Sequence, residues 1–137
     1  MPQYPNYPSS FIVNTDPSGE PGTHWLSFYY DINGNCTFFD SFGQHPKSYG
    51  LLNFICKTSK KWIYNDKRLQ SFYSATCGYY ALFFILLKSR EFNLDQICNL
   101  FSKDNFNMND FLDSNTVRTR LFILVGDFIF WMINQNG

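Results

Sequence analysis

The chain has 137 residues, a length that predicts one domain with its own hydrophobic core. Aromatic residues make up 20% of the sequence, and 11 basic residues balance 11 acidic ones. With no net charge and no lysine-arginine run, the sequence gives no electrostatic argument for a nucleic-acid partner. No apolar stretch reaches the roughly 18 residues that a membrane span requires, so we expect no membrane partner.

The four cysteines are scattered along the chain, and we expect reduced thiols rather than two disulfides. No leader with a basic and then an apolar segment is visible, which together with the thiols predicts an intracellular protein. Neither a CxxC nor an HxxxH spacing occurs, so we predict no metal site and no cofactor. The cysteines are Cys36, Cys56, Cys77 and Cys98.

The N-terminal part of the chain predicts strands. Met1–Ser10 contains three prolines and is expected to be an irregular arm in front of a single domain, residues 11–137. Phe11–Asn14 is expected to form a short strand. Trp25–Tyr30 and Asn35–Asp40 are rich in aromatic residues and flank a turn sequence, which predicts a hairpin.

Helices dominate the remainder of the sequence. Strands first and helices later indicate an α+β fold, with helices packed on a small, mainly antiparallel sheet. The expected helices are Pro46–Phe54, Cys77–Lys88, one capped by Asn93 and ending at Leu100, and one capped by Asp113 or Ser114 and ending near Asn134. Two further short strands are expected at Lys61–Tyr64 and Arg68–Leu69.

Four polar residues offer one candidate for each task of a cysteine hydrolase. Cys77 opens an apolar helix, where the positive end of the helix dipole favours a thiolate. His24 has the titration range of a general base, and Asp40 could anchor its imidazole. Gln70 could donate its amide to an oxyanion beside the backbone N–H of Cys77. Taken singly, each residue is more simply explained as a buried cysteine or an ordinary polar side chain.

The turn between the hairpin strands decides whether His24 and Asp40 can meet. A two-residue turn at Asn33-Gly34 places them on opposite faces, because side chains alternate along a strand. A three-residue loop, Ile32-Asn33-Gly34, pairs His24 with Phe42 and makes His24 and Asp40 diagonal neighbours, roughly 7 Å apart. Its last residue is a glycine, which suits the position that needs a positive φ. The catalytic hypothesis therefore predicts the three-residue turn.

Three other residues bear on the site. Trp25 and Gly78 adjoin the base and the nucleophile, and we interpret both as substrate-binding, with Gly78 allowing close approach. An ordinary strand aromatic explains Trp25 equally well. His45 is the rival base, although Gln44-His45-Pro46 is typical of a surface loop.

The order and spacing of these residues resemble the adenovirus-type cysteine endopeptidases (adenain), and especially the proteases of Maverick/Polinton-type DNA transposons and related viruses. The resemblance covers about Phe11 to Leu87 and includes the seven-residue step from Gln70 to Cys77. The acid is Asp40, where the adenovirus enzymes have Glu. The matching stretches are Phe11-Ile12-Val13-Asn14-Thr15, Gly22-Thr23-His24-Trp25, Phe39-Asp40-Ser41-Phe42-Gly43, Leu69-Gln70-Ser71 and Thr76-Cys77-Gly78-Tyr79-Tyr80.

The resemblance implies a papain-like core in circularly permuted order, as in adenain and the ubiquitin-like proteases. It implies Cys77 as nucleophile, His24 as base, Asp40 as its anchor and Gln70 as oxyanion donor. The substrates implied are viral or transposon-encoded capsid precursors, cut at glycine-containing sites during virion maturation. The implied location is the host nucleus or the virion. A DNA or peptide activator is implied by the resemblance alone, and we assign none.

Two alternatives remain open at the level of sequence. The chain could be an isopeptidase acting on a ubiquitin-like modifier, since distant eukaryotic relatives of the family act on such substrates. It could also be a catalytically silent descendant that is kept as a structural or DNA-associated module. The intact set of His24, Asp40, Gln70 and Cys77 favours the protease over the silent module.

Overall fold

The computed structural model describes residues 5–16, 24–72 and 74–124, and side chains of the last helix as far as residue 115. Its α+β architecture confirms the predicted fold class. The sheet has the order β1-β2-β3-β4, with two antiparallel pairings and a parallel pairing of β3 with β4. The elements are β1 Ser9–Asn14, β2 Trp25–Tyr30, β3 Cys36–Phe39, a 3-10 helix Pro46–Tyr49, α1 Leu52–Thr58, β4 Trp62–Tyr64, α2 Cys77–Ser89, α3 Leu94–Cys98 and α4 Phe106–Leu124.

Both faces of the sheet are buried, which explains why the strands are aromatic almost throughout. On one face, Phe28 and Phe38 belong to a cluster that includes Ile55 of α1. On the other face, the rings of Phe39 and Phe84 stack with centroids 4.7 Å apart, joining β3 to α2. Helix α2 contacts the sheet, α3 and α4, so its all-round apolar sequence suits its position.

The hairpin contains the predicted three-residue turn. The register pairs Tyr30 with Cys36 and Ser27 with Phe39. The N–H of Asp31 donates to the carbonyl of Asn35 at 2.9 Å, and Gly34 has φ +83°. The two-residue alternative is thereby excluded, and the ends of β2 and β3 that carry His24 and Asp40 lie side by side.

The single helix predicted at Pro46–Phe54 is wrong, because Gly50 divides it. Gly50 adopts φ +70°, a left-handed conformation that ends the 3-10 helix, and its N–H bonds to the carbonyls of Pro46 and Lys47. Helix α1 then begins at Leu52. The break leaves Tyr49 beside Asp40, where its hydroxyl donates to Oδ2 at 2.6 Å.

The strand predicted at Arg68–Leu69 is also wrong. The N–H groups of Leu69 and Gln70 both donate to the carbonyl of Ser41, at 2.8 and 3.1 Å, so this segment is a loop that packs against the end of β3. The contact is very close, since a Cβ on Gly43 would lie 2.6 Å from the backbone of Lys67. Glycine is required here, both for this approach and for its φ of +69°.

The C-terminal helices differ from expectation in their limits. Asn93 caps α3 with a complete capping box, as predicted, but the helix ends at Cys98 rather than Leu100. The cap predicted at Asp113 or Ser114 is wrong, because α4 begins at Phe106 and Asp113 lies inside it. The side chain of Asn105 accepts the N–H of Met108 at 3.0 Å and is the actual cap. The predicted end near Asn134 lies outside the described residues.

Three other sequence expectations can be compared with the structure. All four cysteines are free thiols, as expected. Within the described part of the chain, no helix is long and apolar enough to cross a membrane. Strand β1 begins at Ser9, two residues before the predicted Phe11.

A buried polar cluster links α4 to α2 and to the loop before it. Asp110 accepts the Tyr80 hydroxyl at 2.9 Å and the Ser71 N–H at 3.3 Å. Asp113 is 1% exposed, and neither of its carboxylate oxygens has a hydrogen-bond partner among the described residues. Burial, and secondly the charge of Asp110, raise the pKa of Asp113 from 3.8 to about 8.

Asp113→Asn is expected to stabilise the protein at alkaline pH. The folded state keeps the Asp113 proton to a higher pH than the unfolded state does, so stability falls as pH rises from the ordinary pKa of 3.8 to the folded pKa of about 8. Asparagine cannot ionise, and we expect it to gain on the order of 1–3 kcal/mol over wild type at pH 9. Thermal melts from pH 5 to 9 measure this gain.

Asp110→Asn is the comparison variant, because it removes the charge that adds to the raised pKa of Asp113 but leaves burial, the larger cause, in place. A smaller gain at pH 9 is expected from it, since Asp110 also accepts two hydrogen bonds. Little difference between Asp113→Asn and wild type is expected near pH 5. An equal gain at pH 5 and pH 9 would contradict ionisation of Asp113 as the cause.

Candidate active site

A histidine and an aspartate meet where the hairpin strands end. His24 directly precedes β2 and Asp40 directly follows β3, on the side away from the turn. His24 Nε2 lies 2.6 Å from Asp40 Oδ1, and the two residues are 7% and 0% exposed. The pair predicted from the turn is therefore present. Because a carboxylate accepts at Nε2, the neutral imidazole carries its proton there and leaves Nδ1 as the basic atom.

Asp40 is fixed by donors at both carboxylate oxygens. Oδ1 accepts the Phe42 N–H at 2.9 Å as well as His24. Oδ2 accepts the Gln44 N–H at 3.1 Å and the Tyr49 hydroxyl at 2.6 Å. Four donors on one carboxylate satisfy its oxygens and fix its orientation in spite of complete burial.

The backbone of Asp40 is held by a side chain from the next strand's end. Asn65 Oδ1 accepts the Asp40 N–H at 2.9 Å, and Asn65 Nδ2 donates to the Asp40 carbonyl at 2.5 Å. These two hydrogen bonds join the residue that follows β4, Asn65, to the residue that follows β3, Asp40. Asn65 is 3% exposed, so the pairing is protected from water.

Two aromatic rings enclose the imidazole of His24. Phe42 stacks on it with ring centroids 4.7 Å apart and an angle of 22° between the planes. Tyr49 is tilted against it at 5.7 Å. These contacts restrict rotation of the imidazole and exclude water from it.

Cys77 is the first residue of α2 and is 6% exposed. Burial alone would raise its thiol pKa, but four favourable interactions lower the pKa overall. Two come from His24, by hydrogen bonding and by charge, and two from the backbone N–H groups of Trp25 and Gly78. The thiol therefore lies where α2 and the start of β2 converge on the imidazole, and its thiolate is favoured.

The pKa of the His24 imidazole is also changed by its neighbours. Burial lowers the pKa of His24, but hydrogen bonds with Asp40 and Cys77, and then their charges, outweigh it and raise the pKa to about 9. Nδ1 makes no hydrogen bond of ordinary geometry to a described residue, and it is the ring atom that remains for the thiol. A raised imidazole pKa beside a lowered thiol pKa favours an imidazolium–thiolate pair.

Gln70 is brought to the same side of the fold and is completely buried. Its Oε1 accepts the Ser41 hydroxyl at 2.5 Å. Its Nε2 donates to the carbonyl and hydroxyl oxygens of Ser74, at 2.9 and 3.0 Å. An amide has two N–H bonds. Both contacts go to one residue, so a single shared N–H can serve them and leave the second for another acceptor.

Trp25 and Gly78 are in contact, as their positions beside the base and the nucleophile suggested. A Cβ on Gly78 would lie 3.5 Å from Cδ1 of Trp25. Both residues are half-buried. His45 is elsewhere: its Nδ1 accepts the Lys47 N–H at 3.1 Å, and its ring packs against aromatic residues of β4. The rival base is therefore a helix cap.

Several residues that shape the site escaped the sequence analysis. The hairpin register already placed Phe42 opposite His24, so its stacking could have been anticipated. Tyr49 acts through a helix break, and Asn65 and Ser74 act through loop conformations, for which the sequence carries no clear signal. Among the described residues, no group of three or more His, Cys, Asp or Glu side chains is arranged to hold a metal ion.

Sequence and structure comparisons relate the chain to viral proteases. No protein-family model matches the chain. A protein of Acanthamoeba polyphaga mimivirus, named as a thiol protease, is 34% identical over 85 residues. That match covers 55% of this chain and 28% of the mimivirus protein.

The crystal structure of the ASFV pS273R protease is similar in fold, with a TM-score of 0.54 and 20% sequence identity. The match covers 76% of this chain and 42% of that one. The fold is that of adenain and the ubiquitin-like proteases. The chain thus spans less than half the length of either relative, and both relatives are viral proteases by name.

Proposed function

We propose that the protein is a cysteine endopeptidase that cleaves viral or transposon-encoded precursor polypeptides at glycine-containing sites. The single observation that carries the proposal is the buried His24–Asp40 pair, 2.6 Å apart, with the Cys77 thiol beside the imidazole. Similarity to a mimivirus thiol protease and to the fold of a viral protease supports the same reaction class.

The chemistry follows from the assigned atoms. The Cys77 thiolate attacks the carbonyl carbon of the scissile bond and forms a tetrahedral oxyanion. Collapse of this intermediate breaks the C–N bond, and the His24 imidazolium gives its proton to the leaving amine. His24, now neutral, takes a proton from water, which attacks the thioester. The carboxylic acid product leaves, and the thiol and imidazole return to their starting state.

Asp40 has a positioning role in this scheme. Its Oδ1 holds the Nε2 proton of His24, so that Nδ1 faces the thiol, and its charge stabilises the imidazolium. The oxyanion would receive the N–H of Cys77 and one N–H of Gln70. Ser41 and Ser74, which hold the Gln70 amide, support that assignment because they fix its orientation.

The substrate class rests on the form of the cleft as well as on resemblance. A Cβ on Gly78 would lie 3.5 Å from Cδ1 of Trp25, so the indole borders the chain directly beside the nucleophile, and we expect it to limit the width available to the residue being acylated. Glycine, which has no side chain, suits such a position. We therefore expect cleavage on the carboxyl side of glycine, and polypeptide precursors such as capsid proteins as the substrates.

A panel of peptides tests the proposed specificity. Quenched fluorescent peptides with a central Gly-Gly are compared with the same peptides carrying Ala-Ala or Val-Val, and the products are identified by mass spectrometry. Cleavage after glycine and poor turnover of the bulkier peptides are expected. Equal cleavage of all three would contradict the narrow cleft, while cleavage of none would contradict the protease itself. A ubiquitin-like modifier carrying a C-terminal thiol-reactive group separates an isopeptidase from a precursor protease.

Selective alkylation of Cys77 provides a prediction that needs no substrate. Because its pKa is lowered by the imidazolium, Cys77 is expected to react with iodoacetamide at pH 6 at least about tenfold faster than an ordinary thiol. Activity is expected to decline as pH rises through about 9, where His24 loses its proton. Peptide mapping of the alkylated protein assigns the rate to each cysteine.

Cys56 is the internal reference in this experiment, because it is the exposed cysteine of the four. If Cys56 reacts faster than Cys77 at pH 6, no imidazolium–thiolate pair exists. In that case the catalytically silent alternative gains support.

A further inference from the structure

An open groove of about 620 Å³ continues from the candidate active site. It starts at Phe42, which stacks on His24, and runs between the loop of residues 66–72 and the segment of residues 98–106. Its size is in the range of pockets that hold ligands or peptide side chains. The residues that line the groove include Phe42, Lys67, Arg68, Phe72, Lys103 and Phe106.

Arg68 is held in this groove in an unusual way. Its guanidinium carbon lies 3.7 Å from the ring centroid of Phe72 and 4.0 Å from that of Phe106, so the group is placed between two aromatic faces. Its Nε is buried and has no hydrogen-bond partner among the described residues. A guanidinium that is held between two rings is well prepared to bind a planar anion through its terminal N–H groups.

The position of Arg68 relative to the catalytic residues is also fixed. The N–H groups of Leu69 and Gln70 both donate to the carbonyl of Ser41, the residue after Asp40. The loop that carries Arg68 is therefore bonded to the segment that follows Asp40. Ring contacts of 4.7, 5.8 and 3.7 Å lead from His24 through Phe42 and Phe72 to the guanidinium, a path that about four residues of extended chain can span.

The charge of the groove favours an anionic occupant. Lys67, Arg68 and Lys103 line it and are opposed by Asp66. The rings of Phe72 and Phe106 reduce the solvation of the guanidinium, which strengthens its attraction for a carboxylate. In a protease, the anion that a polypeptide supplies is an acidic side chain or a C-terminal carboxylate.

The side of the scissile bond follows from the role of His24. The imidazole donates a proton to the leaving amine, so the leaving segment passes over it. Phe42 and the groove extend from that imidazole, while Trp25 and Gly78 lie beside the nucleophile. We propose that Arg68 binds a carboxylate on the leaving segment of the substrate, within about four residues of the cleaved bond. This inference rests on the proposed protease function.

Peptides that carry a single glutamate test the proposal. Gly-Gly peptides with a C-terminal amide receive one Glu, moved stepwise across both sides of the Gly-Gly pair, and each is matched by a Gln peptide. A second set has Gln throughout but a free C-terminal carboxylate. Wild type is expected to cleave the best leaving-side Glu or carboxylate peptide about 10- to 100-fold more efficiently than its neutral match. The two sets distinguish an acidic side chain from a chain terminus.

Variants of Arg68 test whether this residue causes the preference for the Glu or carboxylate peptides. Arg68→Gln is expected to remove it, so that the Glu or carboxylate peptides and their neutral matches are cleaved with equal efficiency by this variant. Arg68→Lys retains the charge but not the planar fork, and we expect it to keep only part of the preference. Lys103→Gln is the matched control, as it removes a positive charge from the same groove and should keep the preference. Thermal melts verify that each variant is folded.

The outcomes separate this proposal from the protease proposal. If wild type prefers neither the Glu peptides nor the free-carboxylate peptides to their neutral matches, if the preference falls on the acyl side, or if Arg68→Gln slows charged and neutral peptides equally, the carboxylate site is overturned and the protease stands. If no peptide is cleaved, binding of the same labelled peptides to the Cys77→Ala protein decides. Tighter binding of the Glu or carboxylate peptides, lost in a Cys77→Ala/Arg68→Gln double variant, supports the site, and equal binding overturns it.

Discussion

Cleavage of a Gly-Gly peptide by the Cys77→Ala protein is expected to fall at least about ten-thousandfold, below the detection limit of most assays. Alanine cannot form the acyl-enzyme, and the remaining His24–Asp40 pair has no nucleophile to activate. Cys77→Ser should be nearly as inactive, because a hydroxyl has a much higher pKa than a thiol and His24 would not hold it ionised. Initial rates, normalised to folded protein, measure both losses.

Two controls give this result its meaning. Cys56→Ala removes the exposed thiol, which lies in α1, and should leave the rate unchanged. Thermal melts should show that Cys77→Ala is folded, since the substitution removes one small buried side chain. A Cys77→Ala protein that still cleaves at a measurable fraction of the wild-type rate would show that Cys77 is not the nucleophile.

The contact between His24 and Asp40 was predictable because a local rule and a chemical requirement coincided. Gly34 could end either a two-residue or a three-residue turn, and only the latter placed His24 and Asp40 on one face. The observed register confirms that choice. Strand β2 and helix α2 were also predicted nearly to the residue, because long aromatic and apolar runs leave few alternatives.

Errors arose where single residues act through long-range contacts. Gly50 sits in a helix-like pattern, and only its left-handed conformation shows that the helix stops there and that Tyr49 is directed to Asp40. The segment at Arg68–Leu69 is apolar enough for a strand, but its N–H groups bond to Ser41 instead of a neighbouring strand. No local pattern in the sequence encodes these partners.

The start of α4 was mispredicted because two residues in this part of the chain are suitable as helix caps. Asp113 is a favourable cap by residue type, yet it lies buried inside the helix. Asn105 has equal merit as a cap and actually serves as one. Choosing between them requires knowing that the helix packs against α2, and that packing depends on the tertiary structure.

Asp40→Asn is expected to reduce kcat/KM by about 100- to 10,000-fold. The carboxylate accepts two donors at each oxygen: His24 and the Phe42 N–H at Oδ1, and the Gln44 N–H and Tyr49 hydroxyl at Oδ2. In asparagine an NH2 group replaces one of those oxygens. The two groups that donated to that oxygen then face another donor and lose their acceptor. If the amide faces His24, the imidazole loses the tautomer that leaves Nδ1 free for the thiol.

The pH profile distinguishes this mechanism from a simple loss of stability. The charge and hydrogen bond of Asp40 help raise the pKa of His24 to about 9, against the opposing effect of burial. Without them the pKa of His24 falls, and the alkaline limb of the activity profile moves to lower pH. The imidazolium then protects the Cys77 thiolate over a narrower range, and alkylation of Cys77 near pH 8 should approach the behaviour of an unpaired thiol.

Tyr49→Phe is the matched control, because it removes one donor from Oδ2 and leaves the His24 contact with Oδ1 intact. We expect a loss of less than about tenfold in kcat/KM and an alkaline limb that stays close to that of wild type. A Tyr49→Phe protein as impaired as Asp40→Asn would mean that burial of the carboxylate matters more than its bond to the imidazole. Unchanged activity in Asp40→Asn would instead remove Asp40 from the catalytic mechanism, and with it the reason for requiring a three-residue turn.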